Sequence, residues 1–259
     1  MSHDWDAACY HAVSDPQFAW GLTVLERLSL EGDETVLDAG CGTGRLTACL
    51  LDRLPRGRVI AVDSSPAMVA RARLHLAAHA GRLEVIQADL GTLSLAAPVD
   101  AIFSTATFHW IHDHAGLFAR LHATLVAGGR LEAQCGGGPN LARVRARAKR
   151  RAAAPRFAPF FRDWRDPWEY ADEATTARRL AAAGFASVRT WLEEAPTRFA
   201  GPSEYRAFLA GVVIRPYLAC LPDDEKAAFV DPLIAQASAD QPPWTLDYWR
   251  LNMSAVRPA

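Results

Sequence analysis

Long apolar runs are missing from this chain, and so is any strong net charge. No hydrophobic stretch is long enough to span a bilayer, so a transmembrane segment is not expected. A formal charge of −1 gives no overall pull toward nucleic acid or acidic membrane surfaces. Lysine is almost absent, occurring only as Lys149 and Lys226, and the remaining basic residues are arginines. Cysteine is scarce and unpatterned. Cys9, Cys41, Cys49, Cys135 and Cys220 form no C-x-x-C pair, and their odd number cannot all be paired within the chain. This excludes a disulfide framework and favours a reducing, cytoplasmic compartment. The opening residues Met1–Asp6 are polar and acidic, which does not read as a signal peptide. What is present is core. Half of the 259 residues are hydrophobic and 22% are charged, enough for one large domain or a domain with a substantial insertion.

The chain is organised around Val36-Leu37-Asp38-Ala39-Gly40-Cys41-Gly42-Thr43-Gly44-Arg45-Leu46-Thr47. A short β-prone run leads into glycines at alternate positions, and Leu46, Leu50 and Leu51 then recur at helical spacing. Glycine permits φ > 0 and lets a ligand approach the backbone. The helix start that follows offers unpaired N–H groups at a positive dipole end. A dinucleotide site wants G-x-G-x-x-G, but this spacing is G-x-G-x-G, with Asp38 two residues ahead of the first glycine. An acid there repels a pyrophosphate and suits an amine or a sulfonium.

Two further strands end in acids. Arg58–Val62 leads to Asp63, 19 positions after Gly44 and near the ~20-residue spacing at which an acid reaches ribose hydroxyls. Ser64-Ser65-Pro66 then opens a helix carrying Met68, which can lie against a flat base or fill the core. Leu83–Gln87 runs to Asp89 and Leu90. Three acids at carboxyl ends of strands mark the ligand side of an open α/β sheet. A fourth strand, Asp100–Ser104, precedes Thr105–Ile111, and a fifth, Leu131–Cys135, follows a helix over 113–125 and a glycine turn at Gly128-Gly129.

The D-x-G-x-G-x-G pattern with these acids resembles motif I and its sequel in the class I S-adenosylmethionine methyltransferases. Trp5-Asp6-x-x-x-Tyr10 and the Phe108-x-Trp110 segment resemble the trans-aconitate methyltransferase group. That group carries Asn where this chain has Thr105 and Gln where it has His109. The resemblance implies an α/β fold with a doubly wound, seven-stranded, mostly parallel Rossmann-like sheet and a helical cap. It implies S-adenosylmethionine as cofactor, held by Tyr10, Trp20, Asp38, Gly40, Cys41, Gly42, Asp63, Ser64, Met68, Asp89, Leu90 and Thr105, with no metal. His112 and His114 lie near a helix start, and the histidines lack companions at zinc-site spacing.

The expected organisation is an N-terminal helical lid at 1–33 and a cofactor-binding core at 34–200 with an insertion at 139–170. A helical cap at 201–240 and a last, antiparallel strand within 241–259 complete it. The basic stretch 141–151 spreads its arginines around a helix and reads as a solvated face rather than a nucleic-acid site. A small-molecule acceptor is expected between the Phe108–Trp110 loop and the cap, with Arg215 and Arg250 as cations for a carboxylate. Methylation of a carboxylic acid needs no base; O-, N- or C-methylation of a neutral metabolite does, and His109 is the candidate. The rival readings are a nicotinamide reductase, an RNA or protein methyltransferase and a non-catalytic binder of the cofactor.

Overall fold

A computed structural model describes residues 15–259. The chain forms two compact units. The first runs through Gly138 and adds Trp168–Glu193 and Arg250–Ala259; the second comprises Pro139–Pro167 and Glu194–Trp249.

Among the described residues the first unit begins with helix α1 (Asp15–Arg27), which lies within the expected lid at 1–33, whose residues 1–14 are outside the described ones. It then alternates β1 (Thr35–Ala39), α2 (Arg45–Asp52), β2 (Arg58–Asp63), α3 (Pro66–His75), β3 (Leu83–Gln87), β4 (Val99–Thr105), α4 (His114–Thr124) and β5 (Leu125–Gly136). Helix α6 (Glu173–Ala182), β6 (Ala186–Glu194) and β9 (Trp249–Val256) complete the sheet. The seven strands lie in the order β3-β2-β1-β4-β5-β9-β6. The pairs β1–β2, β1–β4, β2–β3 and β4–β5 are parallel, whereas β9 runs antiparallel to β5. This is the doubly wound, mostly parallel sheet expected from the alternation of strands and helices.

Period-two burial supplies a core on each face of this sheet. Leu37, Ile60, Val62, Ile102 and Leu131 pack with Leu117, Phe118 and Leu180. Val36, Val59, Ala61 and Phe103 pack on the other side with Leu25, Leu50, Leu51 and Leu76. Both sets are nearly continuous in the strands, as a sheet covered on two faces requires. Side-chain caps start the helices: the Ser65 hydroxyl accepts from the Met68 N–H at 3.3 Å, and Asp113 accepts from the Gly116 N–H at 2.9 Å.

The strand order reverses between β1 and β4, so a crevice opens beyond their carboxyl ends. The glycine pair Gly128-Gly129, expected as a turn before the fifth strand, instead lies inside β5. The β4–β5 register shifts between Val99 and Ala101, and Gly128 takes φ +77° there. Gly128 and Gly129 exchange hydrogen bonds with Arg257, so the irregularity is paired on its outer edge.

In the second unit lie α5 (Ala142–Ala152), β7 (Thr197–Arg198), α7 (Pro202–Phe208), a π-helical turn (Leu209–Val213), α8 (Arg215–Leu218), α9 (Asp223–Ser238) and β8 (Thr245–Leu246). The 139–167 segment, within the expected insertion at 139–170, groups with the cap residues in this unit. Polar pairs explain this. The Leu141 N–H donates to the Asp247 carbonyl at 2.9 Å, and Arg147 makes a two-pronged contact with Asp240 at 2.6 and 2.8 Å. The last strand, expected within 241–259, is preceded by a separate short one: Thr245 and Leu246 pair with β7, and the main sheet takes up the chain from Trp249.

The basic helix α5 is wired internally. Arg143 and Arg147 both reach Asp240, Arg145 and Lys149 reach Asp166, and Arg151 donates to the Ala228 carbonyl. No helix among the described residues is long and apolar enough to cross a membrane.

Candidate active site

The loop after β1 makes three left-handed turns, with φ of +90° at Gly40, +55° at Gly42 and +84° at Gly44. A side chain at Gly40 would collide with Thr107, and one at Gly44 would meet Leu76 at 2.7 Å. A side chain at Gly42 meets nothing within 4 Å. The first and third glycines therefore serve packing, and the second keeps space open. That space belongs to a cleft bordered by Gln17 and Phe18 of α1, Asp38, the Gly40–Thr43 loop, Arg45 and Leu46 of α2, and Thr105 and Ala106 after β4.

Asp38 stands at the end of β1, 2% exposed, and accepts the Thr47 hydroxyl at 2.6 Å. Burial pushes its carboxyl up to about 7, with the nearby Asp63 adding to the rise. The Asp63 carboxylate accepts from the Gly42 N–H and the Ser65 N–H, both at 2.9 Å, while burial raises its own pKa. Each Asp63 oxygen thus has a backbone donor and keeps lone-pair capacity for another. After β4, Ala106 takes φ +54°, unusual for a residue with a side chain, and its N–H donates to the Gln134 carbonyl at 2.8 Å. The Thr107 hydroxyl donates to the Thr105 carbonyl at 2.9 Å.

S-Adenosylmethionine fits this donor set. The buried Asp38 carboxylate favours a nearby cation, Asp63 can accept from a ribose diol, and the open side of Gly42 leaves room for a ligand against the backbone.

Residues 36–129 match the family model described as a methyltransferase domain. A trans-aconitate 2-methyltransferase from Azoarcus sp. (strain BH72) is 34% identical over 98% of this chain and 99% of its own length. One from Methylobacterium radiotolerans is 30% identical over 93% of this chain and 91% of its own. The chain belongs to the trans-aconitate methyltransferase group of class I S-adenosylmethionine-dependent methyltransferases. The same fold occurs in Haemonchus contortus phosphoethanolamine N-methyltransferase 2 in complex with S-adenosyl-L-methionine. That structure has a TM-score of 0.62 at 17% identity, over 98% of this chain and 57% of that one.

In this methyltransferase the remaining cofactor candidates fall in different places. Cys41 and Thr105 border the cleft. Ser64 is exposed beside Asp63. Asp89 is exposed, and its carboxylate accepts from the Gly91 N–H at 2.8 Å. The Met68 and Leu90 side chains are buried, at 3% and 5% exposure, which for Met68 is the core-filling alternative. Trp20 lies under the Arg250 guanidinium, 4.6 Å from ring centroid to Cζ. Tyr10 lies outside the described residues. Missed in the sequence were Gln17, Phe18, Thr43, Arg45, Leu46 and Ala106. Arg45 stacks over Phe18 at 4.3 Å, and the buried Gln17 Oε1 has no hydrogen-bond partner among the described residues. Nothing local in the sequence singled out Gln17 or Phe18.

On the acceptor side a short 3₁₀ turn spans Phe108–Trp110. Phe108 is a correction: it is 1% exposed and packs edge-on to Phe118, so its side chain belongs to the core. Trp110 contacts Trp168 at 5.6 Å, and the His109 ring lies between Trp110 at 5.3 Å and Tyr170 at 5.6 Å. The turn is anchored from behind. The His114 Nε2–H donates to the Phe108 carbonyl at 3.0 Å, Arg179 donates to His114 Nδ1 at 3.1 Å and to Glu169 at 3.0 Å, and the Glu169 N–H donates to the His109 carbonyl at 2.9 Å.

His109 does not suit the role of general base. Its Nδ1 accepts from the Gly136 N–H at 3.2 Å, which spends that lone pair and puts the ring proton on Nε2. Burial, with Arg250 and His114 nearby, holds its pKa well below the usual histidine value. Arg250 is itself 3% exposed, donates through Nε to Gln134 at 3.2 Å and sits opposite Gly136 in the β5–β9 register. Arg215 belongs to the second unit, at the start of α8. Among the described residues no group of three or more His, Cys, Asp and Glu side chains is placed to hold a metal ion.

Proposed function

We propose that this methyltransferase methylates a carboxylate oxygen of a small polycarboxylic acid of the trans-aconitate type. The observation that carries this reading is Arg250, a nearly fully buried guanidinium on β9, stacked on Trp20 and steered by Gln134. A desolvated, oriented guanidinium is the side chain best suited to a carboxylate. The two relatives described above carry the name trans-aconitate 2-methyltransferase, and one of them aligns over almost the whole of both chains.

When bound, S-adenosylmethionine supplies a methyl group on a sulfonium, a leaving group good enough for a carboxylate acceptor to react without a base. The chain's part is to bind, align and exclude water. Asp38, the Gly40–Gly42 backbone and Asp63 hold the cofactor in this reading, with Ser64, Asp89 and Thr105 at its margins. Arg250 orients the acceptor carboxylate, and the aromatic wall of Trp110, Trp168 and Tyr170 shields it from water. The neutral, hydrogen-bonded His109 supports the base-free route, since it has no free lone pair with which to take a proton. Neither nucleic acid nor membrane enters this reading.

The test is a panel of di- and tricarboxylic acids, phenols and amines incubated with methyl-labelled S-adenosylmethionine, with products identified by mass spectrometry. A base-labile methyl ester on an acid is expected. Turnover confined to phenols or amines, or to a macromolecule, overturns the reading.

A further inference from the structure

Asp38 and Asp63 are held in different ways. Asp63 has a backbone N–H on each oxygen, from Gly42 and Ser65. Backbone donors survive a change of side chain, so that setting is built into the fold. Asp38, 2% exposed and bordering the cofactor cleft, accepts one side-chain hydroxyl, that of Thr47 at 2.6 Å. Its setting depends on a single replaceable group.

The start of α2 explains the contact. Gly44 caps this helix in the left-handed region at φ +84°, without a side-chain hydrogen bond, and the first turn carries no acid of its own. Asp38, delivered by β1, supplies negative charge at a helix start that favours it. Thr47 is 0% exposed and is absent from the cleft wall. A threonine inside a helix can return its hydroxyl to the carbonyl one turn back. This one spends its single donor on a carboxylate nine positions earlier in the chain. Such a bond is stronger to the ionised acid than to the neutral one.

The groups around Asp38 do not duplicate it. Burial raises the Asp38 pKa most, the Thr47 hydrogen bond lowers it, and Asp63 from β2 raises it again. Burial and the two acids keep the Cys41 thiol neutral. Gln17 and Phe18 of α1 and Thr105 and Ala106 after β4 carry no charge, and Arg45 of α2 is stacked over Phe18.

We infer that Thr47 is a positioning residue for the cofactor, its hydroxyl fixing the Asp38 carboxylate at the cleft and favouring the charged form that a cationic ligand needs. This rests on Asp38 facing the positive charge of S-adenosylmethionine, as in the reading above. Thr47 acts through Asp38 and touches no ligand.

The experiment compares wild type with Thr47→Val, which keeps the branched shape without the hydroxyl, and Thr47→Ser, which keeps the hydroxyl. Tm is measured first as a check of folding, and Thr47→Ala replaces Thr47→Val if the latter does not fold. S-Adenosylmethionine affinity is measured by calorimetry from about pH 6 to about pH 8.5 and expressed as the ratio of variant to wild type, which cancels titrations common to both. Thr47→Val should bind roughly tenfold more weakly at the acid end, because a pKa raised by about one unit costs about tenfold in charged form. That deficit should close to within about threefold at the alkaline end, where both proteins are ionised. Thr47→Ser should stay within about threefold throughout. A deficit of the same size at every pH, which is what lost packing produces, overturns the inference. So does Thr47→Val without a deficit, or Thr47→Ser with the same profile as Thr47→Val. A wild-type affinity that rises with pH beside a constant ratio fails Thr47 alone. A wild-type affinity flat across the range removes Asp38 from the cation, and the inference falls with it.

Discussion

The Gly42 N–H donates to the Asp63 carboxylate across 2.9 Å, so the acid that ends β2 also pins the glycine turn that follows β1. One side chain thereby shapes the cofactor cleft and offers it a hydrogen-bond acceptor. Asp63→Ala removes both contributions. It should weaken S-adenosylmethionine and S-adenosylhomocysteine binding by roughly 1.5–3 kcal/mol, the scale of hydrogen bonds to a charged group. Isothermal calorimetry decides it, and unchanged affinity would remove Asp63 from the cofactor site.

Gly40 and Gly42 separate folding from binding. Both have left-handed backbones, which a side chain disfavours by roughly 1–2 kcal/mol. At Gly40 an added methyl also collides with Thr107, whereas at Gly42 it enters open space. Gly42→Ala is expected to lose only a few degrees in Tm yet lose most cofactor affinity. Gly40→Ala should lose more stability. Equal thermal losses in the two, by calorimetric melting, would contradict this assignment of roles.

Asp38 predicts a pH signature. Its folded-state pKa is raised to about 7 from the ordinary aspartate value of 3.8, so between those values the folded chain holds a proton that the unfolded chain has released. The unfolded state binds fewer protons there, and this group's contribution to stability falls as pH rises from about 4 to about 7. A cationic ligand reverses the preference by favouring the ionised form. Cofactor affinity should therefore climb with pH up to about 7 and then level off, with proton release on binding below that point. Asp38→Asn, which still accepts from Thr47, should be more stable than the ligand-free wild type at pH 8. It should also bind the cofactor weakly and without the pH slope. Titrations in buffers of different ionisation enthalpy read the proton directly, and a flat affinity profile from pH 5.5 to 8 would rule out Asp38 as the responsible group.

These contrasts show where sequence reading reached. Val36–Thr47 was legible because strand, turn and helix are coded within one short segment, and the places of Asp38 and Asp63 at the carboxyl ends of β1 and β2 were legible because each closes an apolar run. The burial of Met68 and Phe108 was not legible, because an apolar residue beside a site looks the same whether it faces ligand or core, and only packing decides. The setting of the His109 ring involves a backbone N–H at Gly136, a partner with no sequence signature. The second unit was hidden for the same reason. Arg147 and Asp240 are separated by 93 positions, and only the fold reveals that they pair.

That pair also bears on what the basic helix α5 does. Asp240 is 7% exposed and receives both Arg143 and Arg147, and its carboxylate raises the pKa of Arg147. Arg145 and Lys149 are drawn to Asp166, so most of the positive charge that looked available in the sequence is engaged within the second unit. Two consequences can be measured separately. Asp240→Ala strands two partly buried guanidinium groups and should destabilise the protein by roughly 3 kcal/mol, the lower end for breaking a buried ion pair. Urea unfolding of the full chain reads this loss, and a change below about 1 kcal/mol would reduce the pair to a surface contact. The wild type should show no binding to tRNA or duplex DNA near physiological salt, because phosphate contacts would have to displace partners already in place. Real phosphate contacts give an affinity that falls steeply with salt, by about one power of the salt concentration for each phosphate neutralised. A filter-binding series showing such a slope, abolished by Arg150→Ala or Lys149→Ala, would make α5 a nucleic-acid surface after all.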